Sequence, residues 1–294
     1  MSKQADEVAR GERFEFGKNW QRFLSLLDDE RIDEAVRSLT KALRTDRLDG
    51  LSFLDAGCGS GLFSLAAQRL GARVRSFDFD PQSVACTREV KRRYAPDDEN
   101  WTIEEGSVLD RNFLESLPQF DIVYSWGVLH HTGAMWDALE NLHVRVADSG
   151  RLYVSIYNDQ GGASRFWAAL KRFYNRSGKV VRAILVGGVG LFFETRTALI
   201  RLLRLQNPLP FRRWTEKKKD RGMSIWHDLV DWVGGYPFEY AKPDVVFSFF
   251  FERGFRLDYL RTQGGGHGCN EFVFVKSDGA SKTTSPRHDA ESSQ

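Results

Sequence analysis

Cysteine is scarce in this chain: 294 residues carry only Cys58, Cys86 and Cys269. Three residues with no metal-ligand spacing exclude a disulfide framework or a zinc site, and a reducing compartment is expected. Long apolar runs are missing too. Nowhere do about 18 uncharged apolar residues follow one another, so no membrane-spanning helix is expected. The opening stretch MSKQADEVARGERFEFG is charged and has no apolar centre, so no signal peptide is expected. Net charge is small, +2, and only its distribution is informative. What is present suits a packed core: 41% hydrophobic and 13% aromatic residues, in a length fitting one large domain or one domain with an insertion.

Residues 51–61, LSFLDAGCGSG, organise the chain. Leu51, Phe53 and Leu54 read as a buried strand, Gly57, Gly59 and Gly61 follow at single-residue spacing, and 62–67 reads as a helix. Strand, glycine turn and helix open a doubly wound α/β domain. Glycine lets a ligand lie against the main chain, and the helix start favours an anionic group. A dinucleotide turn needs G-x-G-x-x-G, but its third position here is Leu62. A tight turn without ligand is the plain alternative. Strand two, 72–78, ends in Asp78, 17 residues beyond Gly61, where a carboxylate can accept from ribose hydroxyls; Asp80 is its rival. Pro81 suits the first turn of a helix reaching about Tyr94. Residues 101–110 read as strand three and its loop, and 120–126 as strand four running into GVLHHTG at 127–133. A helix from Met135 to about Val146 and strand five at 150–157 follow.

Together, D-x-G-x-G-x-G from Asp55 to Gly61, the acid closing strand two, and FDIVYSWGVLHH at 120–131 resemble the motifs of the class I S-adenosylmethionine-dependent methyltransferases. Within these they are similar to type 11/12 domains and ubiquinone-biosynthesis-type O-methyltransferases. The resemblance covers about 50–159 and 242–276. It implies a Rossmann-like α/β fold with a doubly wound, mostly parallel seven-stranded sheet, whose last helix (242–253) and last strands (255–262 and 270–276) come late. It also implies S-adenosyl-L-methionine as cofactor. The matching positions are Asp55, Gly57, Gly59, Gly61 and Asp78, with Ser107 and Val108 at the adenine and Ser125 closing strand four. Many relatives have Gly-Asp where this chain has Gly106-Ser107, so either Ser107 or Asp110 is the expected adenine partner.

Outside that core, 1–49 reads as an N-terminal helical cap. Its first 13 residues are expected to be loose, and 21–44 to form two helices broken near Asp28 and Asp29. Phe16, Asn19 and Trp20 are candidates for a lid. Residues 160–241 read as a helical insertion after strand five. Between Arg165 and Arg221 it holds fifteen Lys/Arg against three acids. Its apolar run 180–193, VVRAILVGGVGLFF, is too short to span a bilayer but resembles an interfacial helix on an anionic membrane. The alternatives are a helical lid, or a nucleic-acid surface using Phe166, Trp167, Phe173, Tyr174 and Trp214. Residues 226–239 and 157–159 are expected to wall an acceptor pocket. The loop 264–271 is either a flexible connection or brings His267 and Glu271 to the site. Residues 277–294 read as a disordered tail.

The expected chemistry is methyl transfer by in-line displacement, in which proximity and alignment supply much of the acceleration. An oxygen acceptor also needs a base. His130, His131 and His267 are candidates, with Tyr157 and Asp159 behind them. The adjacent histidines are expected to point apart and hold no metal, with His131 structural and its neighbour facing substrate. The expected acceptor is a small or lipid-linked molecule methylated on oxygen, in a cytoplasmic enzyme with peripheral contact to anionic membrane. The rivals are an RNA or protein methyltransferase, a nicotinamide-dependent oxidoreductase and a non-catalytic cofactor-binding module.

Overall fold

Successive side chains of a strand point to opposite faces, and the strands here bury both faces. A computed structural model describes residues 3–17, 20, 23–206, 225–264 and 268–278. Its elements begin with α1 (Lys3–Ala9), α2 (Asp29–Leu43), β1 (Ser52–Ala56), α3 (Leu62–Arg69), β2 (Arg73–Asp78) and α4 (Pro81–Tyr94). Next come β3 (Trp101–Glu105), α5 (Arg111–Ser116), β4 (Phe120–Trp126), α6 (Met135–His143) and β5 (Val146–Tyr157). The insertion contributes α7 (Gly162–Arg176), α8 (Lys179–Leu203) and α9 (Ile225–Gly234), before α10 (Pro243–Phe251), β6 (Phe255–Arg261) and β7 (Cys269–Lys276).

The seven strands form one sheet in the order β3-β2-β1-β4-β5-β7-β6. The neighbours from β3 to β5 pair in parallel, whereas β7 runs antiparallel to both β5 and β6. Phe53, Val74, Ile122 and Tyr153 pack one face against Leu39, Leu43 and Leu65 of α2 and α3. Their strand neighbours Leu54, Val123, Leu152 and Phe272 pack the other against Leu142, Val246 and Phe250 of α6 and α10. A third cluster, around Trp167, Tyr174, Val186, Val189 and Val233, joins α7, α8 and α9.

Local chemistry sets several boundaries. Asp28 caps α2 by accepting from the Arg31 amide at 3.0 Å, so the helix starts where the paired aspartates interrupt the apolar pattern. Asp80 caps α4 in the same way, with Pro81 in its first turn.

Three expectations are corrected. Part of the first 13 residues is helical, because the segment has partners: Glu7 pairs with Arg13 at 2.6 Å and Gln4 is buried. β5 starts at Val146, four residues early, because Val146 pairs with Phe120 across a register shift. The apolar run 180–193 is the first part of a 25-residue helix, which continues to Leu203. At about 1.5 Å per residue, α8 is roughly 37 Å long, and by length and composition alone it could cross a membrane. Asn19, His267, Trp214, the basic positions from Arg212 to Arg221 and the tail from residue 279 lie outside the described residues.

Candidate active site

At the carboxyl ends of β1, β2 and β4 a cavity of about 1680 Å³ opens, extending under α8 and α9. Ligand pockets are usually about 300–1,000 Å³, so it holds more than one nucleoside-sized molecule. One end is built by the glycine turn. Gly57, Gly59 and Gly61 have φ of 87°, 54° and 79°, values that side chains other than glycine rarely adopt. A Cβ on Gly57 would come within 2.4 Å of Val128. Gly57 and Gly59 line the cavity, whereas Gly61 sits behind them against Thr87 and starts α3.

Asp55 and Asp78 lie beside this turn. Burial pushes the Asp55 carboxyl up to about 7, although the Ser64 hydroxyl donates to it. Burial likewise raises Asp78 to about 6, opposed by two backbone donors, Asp80 and Gly59, each at 2.9 Å. The rival Asp80 lines the cavity too and also accepts once on each oxygen, but its donors tie it to α4 and the N-terminal segment rather than to the glycine turn. One oxygen accepts from the Gln82 amide at the start of α4, the other from the Gly17 amide of the N-terminal segment. Asp78 keeps a lone pair free on each oxygen and lines the cavity, which suits the hydroxyl pair of a ribose. Ser107 and Val108 line it too. Asp110 does not; it caps α5 by accepting from Phe113. Ser125 is also displaced from the expected site. Its buried hydroxyl donates to the Ala56 carbonyl at 2.7 Å and ties β4 to β1.

The other end is aromatic. His130, His131, Tyr157, Trp126, Phe16 and Trp232 line it. The two histidines do not point apart: their rings lie 4.6 Å apart edge to face, and Tyr157 packs 4.1 Å from His130. They sit on a 3-10 turn, Leu129–His131, clamped from a distant part of the chain. The His130 carbonyl accepts from the Glu239 amide at 2.9 Å, and the Glu239 carboxylate accepts from Gly133 and Met135. His131 Nδ1 lies 2.6 Å from the Pro237 carbonyl. A carbonyl only accepts, so Nδ1 carries the proton and Nε2 is left as the acceptor. Burial holds this imidazole down to about 3, so it is neutral at working pH. His130 is fully buried and neither ring nitrogen has a hydrogen-bond partner. Burial lowers its pKa strongly as well. His131 is therefore tethered, yet it still lines the cavity.

Asp159 does not line the cavity; its carboxylate accepts from Gly161 at the turn into α7. Glu271 does. Its carboxylate accepts from the Tyr153 hydroxyl at 3.0 Å and meets Arg261 at 3.3 Å. Arg13 is a residue that sequence reasoning missed. It donates to the His131 carbonyl at 2.9 Å and lies over the Phe79 ring, drawing the N-terminal segment across the cavity. Trp20 closes on Gly59 in the same strap.

Residues 54–152 match the family model of the methyltransferase domain. The core belongs to the class I S-adenosylmethionine-dependent methyltransferases. Its seven-stranded order and glycine turn agree with that family, and the nicotinamide reading, already weakened by Leu62, is set aside. Among relatives of this methyltransferase core, the mitochondrial ubiquinone biosynthesis O-methyltransferase of Schizosaccharomyces pombe is 31% identical over 156 residues, 48% of this chain and 52% of that protein. A ribosomal protein L11 methyltransferase of Xanthomonas campestris pv. campestris is 35% identical over 113 residues, 37% of this chain and 33% of that protein. The chain thus spans between a third and about half of these curated relatives. The crystal structure of magnesium protoporphyrin IX methyltransferase from Synechocystis PCC 6803, with bound SAH, superposes with a TM-score of 0.54. It covers 92% of this chain and all of that one at 16% identity, a likeness of fold alone. The chain's own residues fit the cofactor: Gly57 and Gly59 line the cavity without side chains, and a half-buried acid with free lone pairs stands at the end of β2.

Proposed function

We propose that the chain transfers the methyl group of S-adenosylmethionine to an oxygen of a large, apolar, lipid-like acceptor. One observation carries this reading: a single cavity joins the glycine turn and Asp78 to a neutral histidine with a free Nε2, along aromatic walls. When bound, S-adenosylmethionine supplies a methyl group already activated on a sulfonium centre. Gly57, Gly59 and Asp78 hold it, with Ser107 and Val108 beside its base. His131 Nε2 takes the proton of an acceptor hydroxyl, and the Nδ1 bond to Pro237 steadies the imidazole as it becomes charged. His130 and Tyr157 pack the ring in place. Phe16 and Trp20, strapped by Arg13, exclude water. In this reading the protein is cytoplasmic and touches an anionic membrane peripherally.

A macromolecular acceptor is the second reading, favoured by the basic insertion and by the ribosomal-protein methyltransferase among the relatives. Incubating the purified chain with methyl-labelled S-adenosylmethionine and cell extract separates the two. Label in the organic phase is expected. Label in precipitated protein or RNA overturns the lipid-like acceptor.

A further inference from the structure

Helix α8 presents two apolar faces. The inner one, Val186, Val189 and Phe193, packs on α7 and α9. The outer one has no partner among the described residues. Val180 is 74% exposed, Ile184 67%, Leu191 70%, and Leu199 and Leu202 more than half. Their spacings of four, seven, eight and three residues are one- and two-turn steps, so they form one stripe along the helix. In α7, Phe166 and Phe173 are exposed seven residues apart. Basic residues frame both helices. From Gly162 to Gln206 there are nine Lys/Arg and a single acid, Glu194. An exposed apolar stripe with basic flanks complements a surface that is apolar below and anionic above, which is an anionic bilayer. A nucleic acid matches the charge but leaves the aliphatic stripe unburied.

The stripe also meets the cavity. Gly187 and Leu191 are exposed on the outer face and line the cavity. Gly187 and Gly188 have open space where a Cβ would stand, so packing does not require glycine there. Glycine in a helix interior is disfavoured, and here it leaves the wall between membrane face and cavity thin. His130, fully buried, lines the same cavity.

We infer that α8 lies in the headgroup layer of an anionic membrane and that an amphiphilic acceptor passes from the bilayer into the cavity beside Gly187. This rests on the methyl-transfer reading above for what happens inside the cavity, whereas docking itself stands on the surface alone.

The test uses the full chain and vesicles of phosphatidylcholine, with or without an equal part of phosphatidylglycerol. Co-sedimentation with the anionic vesicles is expected at 0.1 M salt, and at least tenfold less at 1 M, where the screening length drops from about 10 Å to about 3 Å. Ile184→Glu with Leu199→Glu, both outside the cavity lining, should abolish binding while calorimetry shows S-adenosylmethionine affinity unchanged. A polarity-sensitive dye on Leu202→Cys should shift to the blue on vesicles, and the same dye on Arg37→Cys should not. Equal recovery in the supernatant with every vesicle overturns the docking proposal, as does retention on RNA without vesicle binding. Vesicle binding that survives the double substitution overturns the role of the apolar stripe. Failure to bind S-adenosylmethionine overturns the methyl-transfer reading instead. For passage, the probe is dansylundecanoate: Gly187→Phe should weaken its binding at least tenfold, and equal binding by the variant, or no binding by the unsubstituted chain, removes this route.

Discussion

Asp78→Asn isolates the contact on which the proposed cofactor binding turns. In the wild-type chain the carboxylate accepts from the Gly59 and Asp80 amides and keeps one lone pair per oxygen for the ligand. The amide side chain retains one acceptor oxygen, so the loop keeps part of its anchoring, but it cannot accept from two hydroxyls. A hydrogen bond to a charged group is worth about 1.5–3 kcal/mol, and about 1.4 kcal/mol is tenfold in affinity. Loss of one such bond lowers S-adenosylmethionine affinity by roughly ten- to a hundredfold. The pH dependence sharpens the test. Asp78 titrates near 6, so wild-type affinity should be level above pH 7 and fall by about tenfold per unit below 6 as the carboxylate is protonated. The Asn variant should show no such fall. Calorimetry between pH 5 and 8 measures both. Affinity within twofold of wild type at pH 7.5, or the same pH profile in the variant, refutes the assignment.

His131→Gln should lower methyl transfer by about 10²–10⁴-fold while leaving cofactor affinity unchanged, read in single turnovers with the identified acceptor. Two groups titrate on the folded protein in opposite senses. His131 falls to about 3 on folding, so its contribution to stability is present above pH 6.5 and is lost as pH falls toward 3. Asp78 rises to about 6, so its contribution is present below 3.8 and is lost as pH rises to 6. Thermal denaturation from pH 3 to 8 should show His131→Gln with a shallower acid limb than wild type. Gly57→Ala brings a Cβ within 2.4 Å of Val128 at φ 87°; a loss of about 1–3 kcal/mol is expected by urea titration, with cofactor binding abolished.

The parts of this fold that depend on local sequence were legible. The strand before the glycines, the cap at Asp80 with Pro81, and the acid ending β2 each use neighbours a few residues away. Long-range pairings were not. Pro237 and Glu239 lie more than a hundred residues from the turn they clamp, and no spacing in the sequence announces that His131 Nδ1 meets the Pro237 carbonyl. Ser125 and Asp110 are of the right residue type in the right place, yet each is spent on backbone partners, Ala56 and Phe113. The order of α1 depended on an ion pair with Arg13 and could not be seen in a polar stretch.

The position of β7 has a consequence for how the protein comes into being. It lies between β5 and β6 rather than at an edge, and it delivers Cys269 and Glu271 to the cavity wall. The sheet therefore cannot close until residues near 276 have left the ribosome, although everything through β5 is complete by Tyr157. At 5–20 residues per second the interval of about 120 residues lasts roughly 6–24 s. Throughout it the flank of β5 stands open as an unpaired edge while the apolar helix α8 emerges beside it. A nascent chain in that state exposes what a chaperone or a nearby bilayer would hold, so the segment proposed to dock on a membrane is offered to it before the cavity exists.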